Sequence, residues 1–354
     1  MILIYSPRFI CYIFLYYYGQ KEVIILKDIN RQRIISSDMA AAYLEDGWHR
    51  ADLHVHTCCS YDVPPARSMH PTNLLETGRL RGLDFITFTD HDTVKAYDLL
   101  GWKTKNLVPG VEVSIKDPEN VGHTVHINVF GFDKQQYTEF DKLVKKEPNV
   151  YSLIDYFKNN DLPYMYNHPF WFQLGDKPNI PAIPELARHF PVIEYNMQDL
   201  KQKNMFAMFL AKYYGKGTAV TTDSHTGSIG NVYTIAKGDD FHEYFTNISK
   251  GNSYMVMDEK PWKYLTKEMS TWIELVFGME KEIREEMGFT SGVGRIDRLV
   301  DLFDKYGLSH HQRLNSALMN TMKLISRSGI PVFLYMLSKQ PQVSRIEKTV
   351  NFLS

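Results

Sequence analysis

The chain has 354 residues, 44% of them hydrophobic and 23% charged, with a formal net charge of −1. That length allows one large domain with an appendage or two domains, and the composition is that of a soluble globular protein. A charge so near zero excludes a broad electrostatic field for nucleic acid or an anionic membrane, and leaves room only for a local basic groove.

The N-terminal stretch 2–18 is apolar and aromatic, but Pro7 and Arg8 interrupt it. It falls short of the ~20 residues that a spanning helix needs, so a membrane anchor is not favoured. It also lacks the basic start and small-residue cleavage site of a secretory signal. A strand or hairpin packed on the domain and an extension outside the functional fold both remain open for residues 1–38, and Met39 would serve as a natural domain start. The three cysteines, Cys11, Cys58 and Cys59, cannot form a disulfide framework, which predicts a reducing, cytoplasmic setting.

From His49 onward short β-rich runs alternate with helical patterns. The runs are 49–56, 84–89, 107–115, 125–132, 162–167, 191–196, 218–222 and 232–236. Helices are expected over 71–80, 151–159, 183–190 and 199–214, and the last of these carries Met205, Phe206, Phe209 and Leu210 on one stripe as core packing. Strands alternating with helices predict a mostly parallel sheet with helices outside it, and seven or eight units favour a closed α/β barrel. After about Lys260 the alternation stops. Residues 264–287, 296–306 and 313–328 read as helices, with a flexible break at 288–294 and an apolar run at 330–337 that is a buried helix turn or a strand. This region, 261–354, is expected to be a helical appendage, with His310 and His311 on its surface. The chain shows no repeats, no low-complexity tract and no glycine-rich phosphate loop.

The polar residues of the barrel segment fall at the expected C-terminal ends of strands, where chemistry collects in such barrels. His54 and His56 alternate with Leu53 and Val55 and so share one strand face, about 6.5–7 Å apart at the Cα level and within reach of one metal ion. His91 lies between Asp90 and Asp92 after residues 85–89, Glu112 sits in Val-Pro-Gly-Val-Glu-Val-Ser, and His126 enters a strand with His123 just before it. His168 follows Pro-Tyr-Met-Tyr-Asn, and Asp223-Ser224-His225 ends Thr-Ala-Val-Thr-Thr. Imidazole nitrogen and carboxylate oxygen suit zinc, manganese or iron, and thiolate is not needed. So many candidate ligands exceed the needs of one ion and suffice for two or three divalent metal ions, with Glu112 as a natural bridge. Such a cluster lowers the pKa of bound water and clamps a phosphate, which suits phosphate-ester hydrolysis by a metal-bridged hydroxide. Of Asp90 and Asp92, one is expected to orient a ligand histidine and the other to cap the helix starting near Thr93. Arg67 and His123 are candidate substrate contacts.

These motifs, namely Asp-Leu-His-Val-His-Thr with Ser60, Gly-Leu-Asp-Phe-Ile-Thr-Phe-Thr-Asp-His-Asp-Thr (82–93), Val-Pro-Gly-Val-Glu-Val-Ser (108–114), Val-His-Ile-Asn-Val-Phe-Gly (125–131), Asn-His-Pro (167–169) and Asp-Ser-His (223–225), together resemble the PHP (polymerase and histidinol phosphatase) superfamily. The resemblance runs from about Trp48 to about Ala236, in the family's order. It implies a distorted (β/α)7 PHP-type barrel over 39–260 with a phosphoesterase site at its mouth. It further implies that His54, His56, Glu112 and Asp223 hold one metal, Glu112, His126 and His168 a second, and His91 and His225 a third. The third site needs a polar residue after the first motif, where members have Ser-Asp-Gly and this chain has Ser60-Tyr61-Asp62. Asp62 fills that place if the loop takes one extra residue, and His70 is a substitute.

The expected function is thus a metal-dependent phosphoesterase acting on a small phosphorylated metabolite or nucleotide. The alternatives are a nuclease working from nucleic-acid ends, disfavoured by the absence of a basic and aromatic stripe, and a non-catalytic metal-stabilised binding or regulatory module. Substrate, metal and oligomeric state are not encoded in these patterns.

Overall fold

A computed structural model describes residues 33–146, 148–173, 175–277, 298, 301 and 312–351. The apolar stretch 2–18, Cys11, the break at 288–294, all but two residues of the helix expected over 296–306, and His310 and His311 lie outside the described residues.

The strands are β1 (Ile34–Ile35), β2 (Trp48–Asp52), β3 (Phe85–Ile86), β4 (Gly110–Asp117), β5 (His123–Phe130), β6 (Tyr164–Tyr166), β7 (Val192–Asn196), β8 (Gly217–Thr221), β9 (Tyr233–Lys237) and β10 (Ser253–Val256). They form two sheets, ordered β1-β10-β9-β2-β3 and β4-β5-β6-β7-β8. Isolated parallel bridges join the two: Ile86 to Leu107 and His91 to Glu112 on one side, Val55 to Ser224 on the other. The ring β2-β3-β4-β5-β6-β7-β8 is therefore a distorted seven-stranded α/β barrel, as the sequence predicts. Its strands are short. β2 ends at Asp52, so His54 and His56 lie beyond it on an extended segment pinned by Val55.

Within the ring, one strand departs from the parallel reading. β5 runs antiparallel to both β4 and β6, while the β2–β3, β6–β7 and β7–β8 pairs are parallel. Only residues 118–122 separate β4 from β5, too few for a crossover, so the chain must turn straight back. The reversal has a functional effect: the start of β5 lies at the same rim as the ends of the other strands, and His126 pairs in register with Ser114 there.

β9 pairs antiparallel with β2, and β10 and β1 extend the sheet outside the ring. Neither β1 nor β10 is visible in the sequence, because two and four residues are too few to show a period of two.

The helices Pro71–Leu80, Val150–Asn159, Ala182–Ala187 and Lys201–Tyr213 occupy the expected segments. Met205 and Leu210 are buried, and Phe206 and Phe209 pack against the core. The helices Ser37–Glu45, Lys134–Lys146 and Phe241–Ser249 were not expected. In Lys134–Lys146 the residues Tyr137, Phe140, Leu143 and Val144 recur at helical spacing on one face, with Phe140 buried and the others packed alongside.

The C-terminal region is helical as expected: Pro261–Phe277, Gln312–Arg327 and Ile330–Asn351. Ser326 Oγ donates to Ser270 Oγ at 3.1 Å, and Glu274 pairs with Arg327 at 3.0 Å and Lys323 at 3.3 Å, which ties the first two helices together. The run 330–337 begins a long helix, and Ile330, Phe333, Leu334 and Leu337 are exposed on it, not buried. Among the described residues no helix is long and apolar enough to cross a membrane.

Candidate metal centre

All nine candidate metal ligands, His54, His56, Asp62, His91, Glu112, His126, His168, Asp223 and His225, meet at one rim of the barrel. They form four overlapping groups: His56, Asp62, His91 and His225; His54, Glu112 and His168; His54, His56 and Asp223; and His91, Glu112 and His126. Within each group the potential ligand atoms lie within 4.8 Å of one another. Glu112 is at the centre and fully buried. Its Oε2 is 3.0 Å from His54 Nε2 and 3.3 Å from both His56 Nε2 and His91 Nδ1, and its Oε1 is 3.1 Å from His126 Nδ1 and 3.2 Å from His168 Nε2. A carboxylate serving five imidazoles through two oxygens is the geometry that a bridging ligand needs.

Asp62 reaches the cluster despite the extra residue in its loop. Its Oδ2 lies 3.0 Å from His225 Nε2 and 3.3 Å from His91 Nε2. Ser60 Oγ donates to Asp62 Oδ1 at 2.8 Å and accepts from His91 N–H at 3.2 Å, and Cys58 N–H donates to the Met69 carbonyl, so the loop is folded back onto the rim. His70, the substitute, is exposed at the N-cap of Pro71–Leu80, where its Nδ1 accepts from Thr72 N–H at 3.3 Å. It is a capping residue, and Asp62 takes the place at the rim.

Backbone strain gathers at the same rim. Asp92, His168 and Asp223 are three of the five non-glycine residues with positive φ among the described residues, at 52°, 23° and 49°. Such conformations cost energy for a residue with a Cβ and persist where the surroundings enforce them, commonly at functional sites.

The electrostatics follow from burying acids among imidazoles. Burial pushes the carboxyls of Glu112, Asp62 and Asp223 up, but the histidines facing each outweigh it and hold all three well below the usual range. Burial lowers His91 and His225, yet Glu112 and Asp62 push His91 up to about 10, and Asp62 and Asp223 push His225 up to about 9. For His126 burial wins, and it falls to about 4, which keeps its ring neutral and able to donate a lone pair.

The chemistry of the donors fits divalent cations: nitrogen from imidazole and oxygen from carboxylate, with the thiols of Cys58 and Cys59 free and outside the groups. His56 Nδ1 and His126 Nε2 are buried with no hydrogen-bond partner, and His54 Nε2 faces His56 Nε2 at 3.0 Å. The ring nitrogens of those two histidines that face Glu112 are the others, His56 Nε2 at 3.3 Å and His126 Nδ1 at 3.1 Å, so the fit rests on the facing pair His54 Nε2 and His56 Nε2, which a shared cation would satisfy.

Several residues that support the cluster are given no role by the sequence, although Asn167 belongs to the Asn-His-Pro motif. Glu194, on β7, accepts from His54 Nδ1 at 2.7 Å and from His168 N–H at 2.6 Å, and Thr221 Oγ1 donates to it at 2.5 Å. It thereby turns His54 Nε2 toward the centre. An acid inside the apolar run Val-Ile-Glu-Tyr was the available signal. Asn167 Nδ2 donates to Glu112 Oε1 at 2.8 Å, and Asn196 Nδ2 donates to Asp223 Oδ2 at 2.8 Å. Gln198 Nε2 donates to the Asp223 carbonyl.

The expected roles of Asp90 and Asp92 are not those observed. Asp90 accepts from Thr57 N–H at 2.6 Å and Thr57 Oγ1 at 2.8 Å, so it holds the chain after His56 and touches no ligand ring. Asp92 Oδ1 accepts from Ser114 N–H at 2.8 Å, and the helix that follows, Lys95–Leu100, has no side-chain cap. Short strands ending at the rim leave main-chain donors open, and these acids satisfy them.

The two candidate substrate contacts differ in placement. Arg67 is exposed in the turn Arg67–Met69, on the folded-back loop that carries Asp62. His123 lies an odd number of residues from His126 and is buried away from the groups; its Nδ1 donates to the Val121 carbonyl at 2.7 Å and its ring meets Phe172 edge-on at 4.9 Å. At the rim itself, Trp171 packs against His126 and His168 with centroids 5.2 and 5.5 Å away, and Tyr61 lies 5.3 Å from His91.

No protein-family model matches the chain, and no curated protein matches it in sequence. Among solved structures it is similar to PsfC from Pseudomonas syringae PB-5123, at 15% identity and a TM-score of 0.45 over 63% of this chain and 96% of that one. It is also similar to the lesion-specific endonuclease PfuEndoQ from Pyrococcus furiosus, at 15% identity and a TM-score of 0.44 over 59% of this chain and 57% of that one. A protein assigned as a metal-dependent phosphoesterase from Bifidobacterium adolescentis aligns at 13% identity and a TM-score of 0.35, over 56% of this chain and 96% of that one.

Proposed function

We propose that this chain, whose motifs and barrel resemble the PHP superfamily, is a metal-dependent phosphoesterase of the cytoplasm that acts on a small phosphorylated substrate. The observation that carries the reading is the convergence of nine donors in four overlapping groups around one buried, shared carboxylate, Glu112. We assign His54, His56, Glu112 and Asp223 to one divalent ion, Glu112, His126 and His168 to a second, and Asp62, His91 and His225 with His56 alongside to a third; His126 and His168 share Glu112 Oε1, while the compact groups also tie His168 to His54 and His126 to His91. Zinc, manganese and iron all suit this donor set. Bound there, the ions would supply charge neutralisation of the phosphate and a lowered pKa for an attacking water.

The chain's own residues do the positioning. Glu194 and Asn167 orient His54 and Glu112, and Asn196 and Gln198 fix Asp223. Ser60 Oγ donates to Asp62 and Thr221 Oγ1 to Glu194, and we assign the attack to water. Arg67, exposed on the Asp62 loop, is the proposed phosphate contact. The catalytic unit is assigned to 39–260, with 1–38 and 261–354 as flanking regions.

The test is phosphate release by manganese-loaded protein from p-nitrophenyl phosphate and from nucleotides. His54→Ala and Asp223→Ala are each expected to reduce it by more than about 100-fold, because even the partner that orients a ligand is worth about 10–100-fold. Inactivity over a broad phosphomonoester and phosphodiester panel would overturn the reading. Salt-dependent oligonucleotide binding with trimming from an end would move it to a nuclease, and metal-dependent stability without turnover to a binding module.

A further inference from the structure

The loop 222–230 carries Asp223 and His225 from β8 towards β9, and two buried carboxylates hold it. Asp52, in β2, accepts from Thr222 N–H at 3.1 Å, Thr222 Oγ1 at 2.6 Å and Gly230 N–H at 2.9 Å, which fixes the two ends of the loop. The middle is held from outside the barrel. Glu268, in the C-terminal helix Pro261–Phe277, accepts from Thr226 Oγ1 at 2.6 Å and from Ser228 Oγ at 2.5 Å. Tyr264, one turn earlier, places its hydroxyl 2.7 Å from Ser228 Oγ. Inside the loop, Ser224 Oγ accepts from the N–H groups of Thr226, Gly227 and Ser228 at 3.3, 3.1 and 2.8 Å, so the hydroxyls that meet Glu268 belong to one bonded turn.

Glu268 is only 4% exposed. A helix that merely covered the barrel would pack there more favourably with an apolar side chain, since burying a carboxylate is costly unless its bonds are needed. The residue next to Thr226 is His225, whose side chain is 19% exposed against 0% for His56 and 7% for His91 in the same group. It is the most exposed histidine of that group, and its Nδ1 donates to the Asp223 carbonyl of the same loop at 2.9 Å, so the direction of its ring follows the loop.

We infer that Glu268 is a positioning residue for the metal centre: through Thr226 and Ser228 the C-terminal helix sets the loop that aims His225 at the cation of the His56, Asp62, His91 and His225 group. The inference rests on reading that group as a ligand set. It makes the start of the C-terminal region a working part of the site and not a separate cover.

The experiment titrates manganese into full-length, ion-stripped protein against a chromophoric chelator, and reads ion uptake without any turnover. The wild type is expected to show more than one class of site. Glu268→Ala should weaken one class about 10-fold or more and leave the others unchanged, and Thr226→Val, which removes one hydroxyl without altering the helix, should weaken the same class. Glu268→Gln, whose amide can accept from one hydroxyl and donate to the other, should restore it. Glu274→Ala, in the same helix but paired with Arg327 and Lys323, should change nothing. Unaltered uptake in both Glu268→Ala and Thr226→Val would overturn the inference, as would a uniform loss across all classes that Glu268→Gln does not rescue. A wild type that takes up no manganese would sink the ligand assignment with it. A wild type that binds manganese but hydrolyses no phosphate ester sinks only the phosphoesterase reading.

Discussion

Removing Glu194 takes away the acceptor that turns His54 Nε2 toward the cluster while leaving every candidate ligand in place. Glu194→Ala is therefore expected to lower manganese affinity and phosphate release by about 10–100-fold, measured by chelator competition and initial rates. His70 supplies the contrast. Its ring accepts from Thr72 N–H at a helix N-cap, so His70→Ala should cost about 1 kcal/mol in denaturant unfolding and leave ion uptake as in the wild type. At this scale the sequence was most informative where side-chain type alone specifies chemistry. Histidines and acids at strand ends could be picked out one by one. Partners such as Glu194, Asn167 and Asn196 could not, because a buried acid or amide inside a strand looks the same whether it orients a ligand or satisfies a backbone group.

Elements approach closely at two places that matter for stability and pH. Gly217, at the start of β8, lies so near helix Phe241–Ser249 that an added Cβ would meet the Ile248 carbonyl oxygen at 2.0 Å. Gly217→Ala should destabilise the fold by roughly 1–3 kcal/mol or more, read as a lowered midpoint in urea at unchanged slope. Glu268 gives the pH dependence of the helix–loop contact. Burial raises its carboxyl above the ordinary 4.5, against the lowering effects of Ser228, Thr226, His225 and Lys267. The folded state thus holds this proton more tightly than the unfolded chain. The associated stability is fully present below about pH 4.5 and is lost as pH rises through the raised folded value. Subtracting the Tm-against-pH profile of Glu268→Gln from that of the wild type should show a difference that falls with rising pH over that window; a flat difference would rule the contribution out. Of the two element-scale surprises, β5 running backwards and the helix Lys134–Lys146, only the first is a case where local pattern is silent. Strand direction depends on the length of the connection, whereas the helix Lys134–Lys146, with Tyr137, Phe140, Leu143 and Val144 at helical spacing, was legible from its pattern.

For the molecule as a whole, gathering acids and imidazoles at one buried rim carries a desolvation cost that the fold must maintain. Any ion that binds only the folded chain stabilises it, by about 2.7 kcal/mol at a free concentration 100 times its Kd. Manganese should therefore raise Tm and excess chelator should return it to the ion-free value, with His54→Ala showing a smaller rise; a Tm insensitive to both would argue against a metal centre. Uptake should also release protons, since protonated rings must give up their hydrogens before they can coordinate.

Residue chemistry, chain order and the rough count of strands and helices were in the sequence alone, because side-chain type and period-two or helical spacing are local properties. So was the resemblance of the ordered motifs to one superfamily. Whether donors drawn from positions 54 to 225 share a centre was a question of closure, and only the packed barrel answered it, through bridges too short to leave a pattern. The same holds for Glu268 at the His225 loop: contacts between segments far apart in the chain depend on how whole elements dock, which no window of sequence contains.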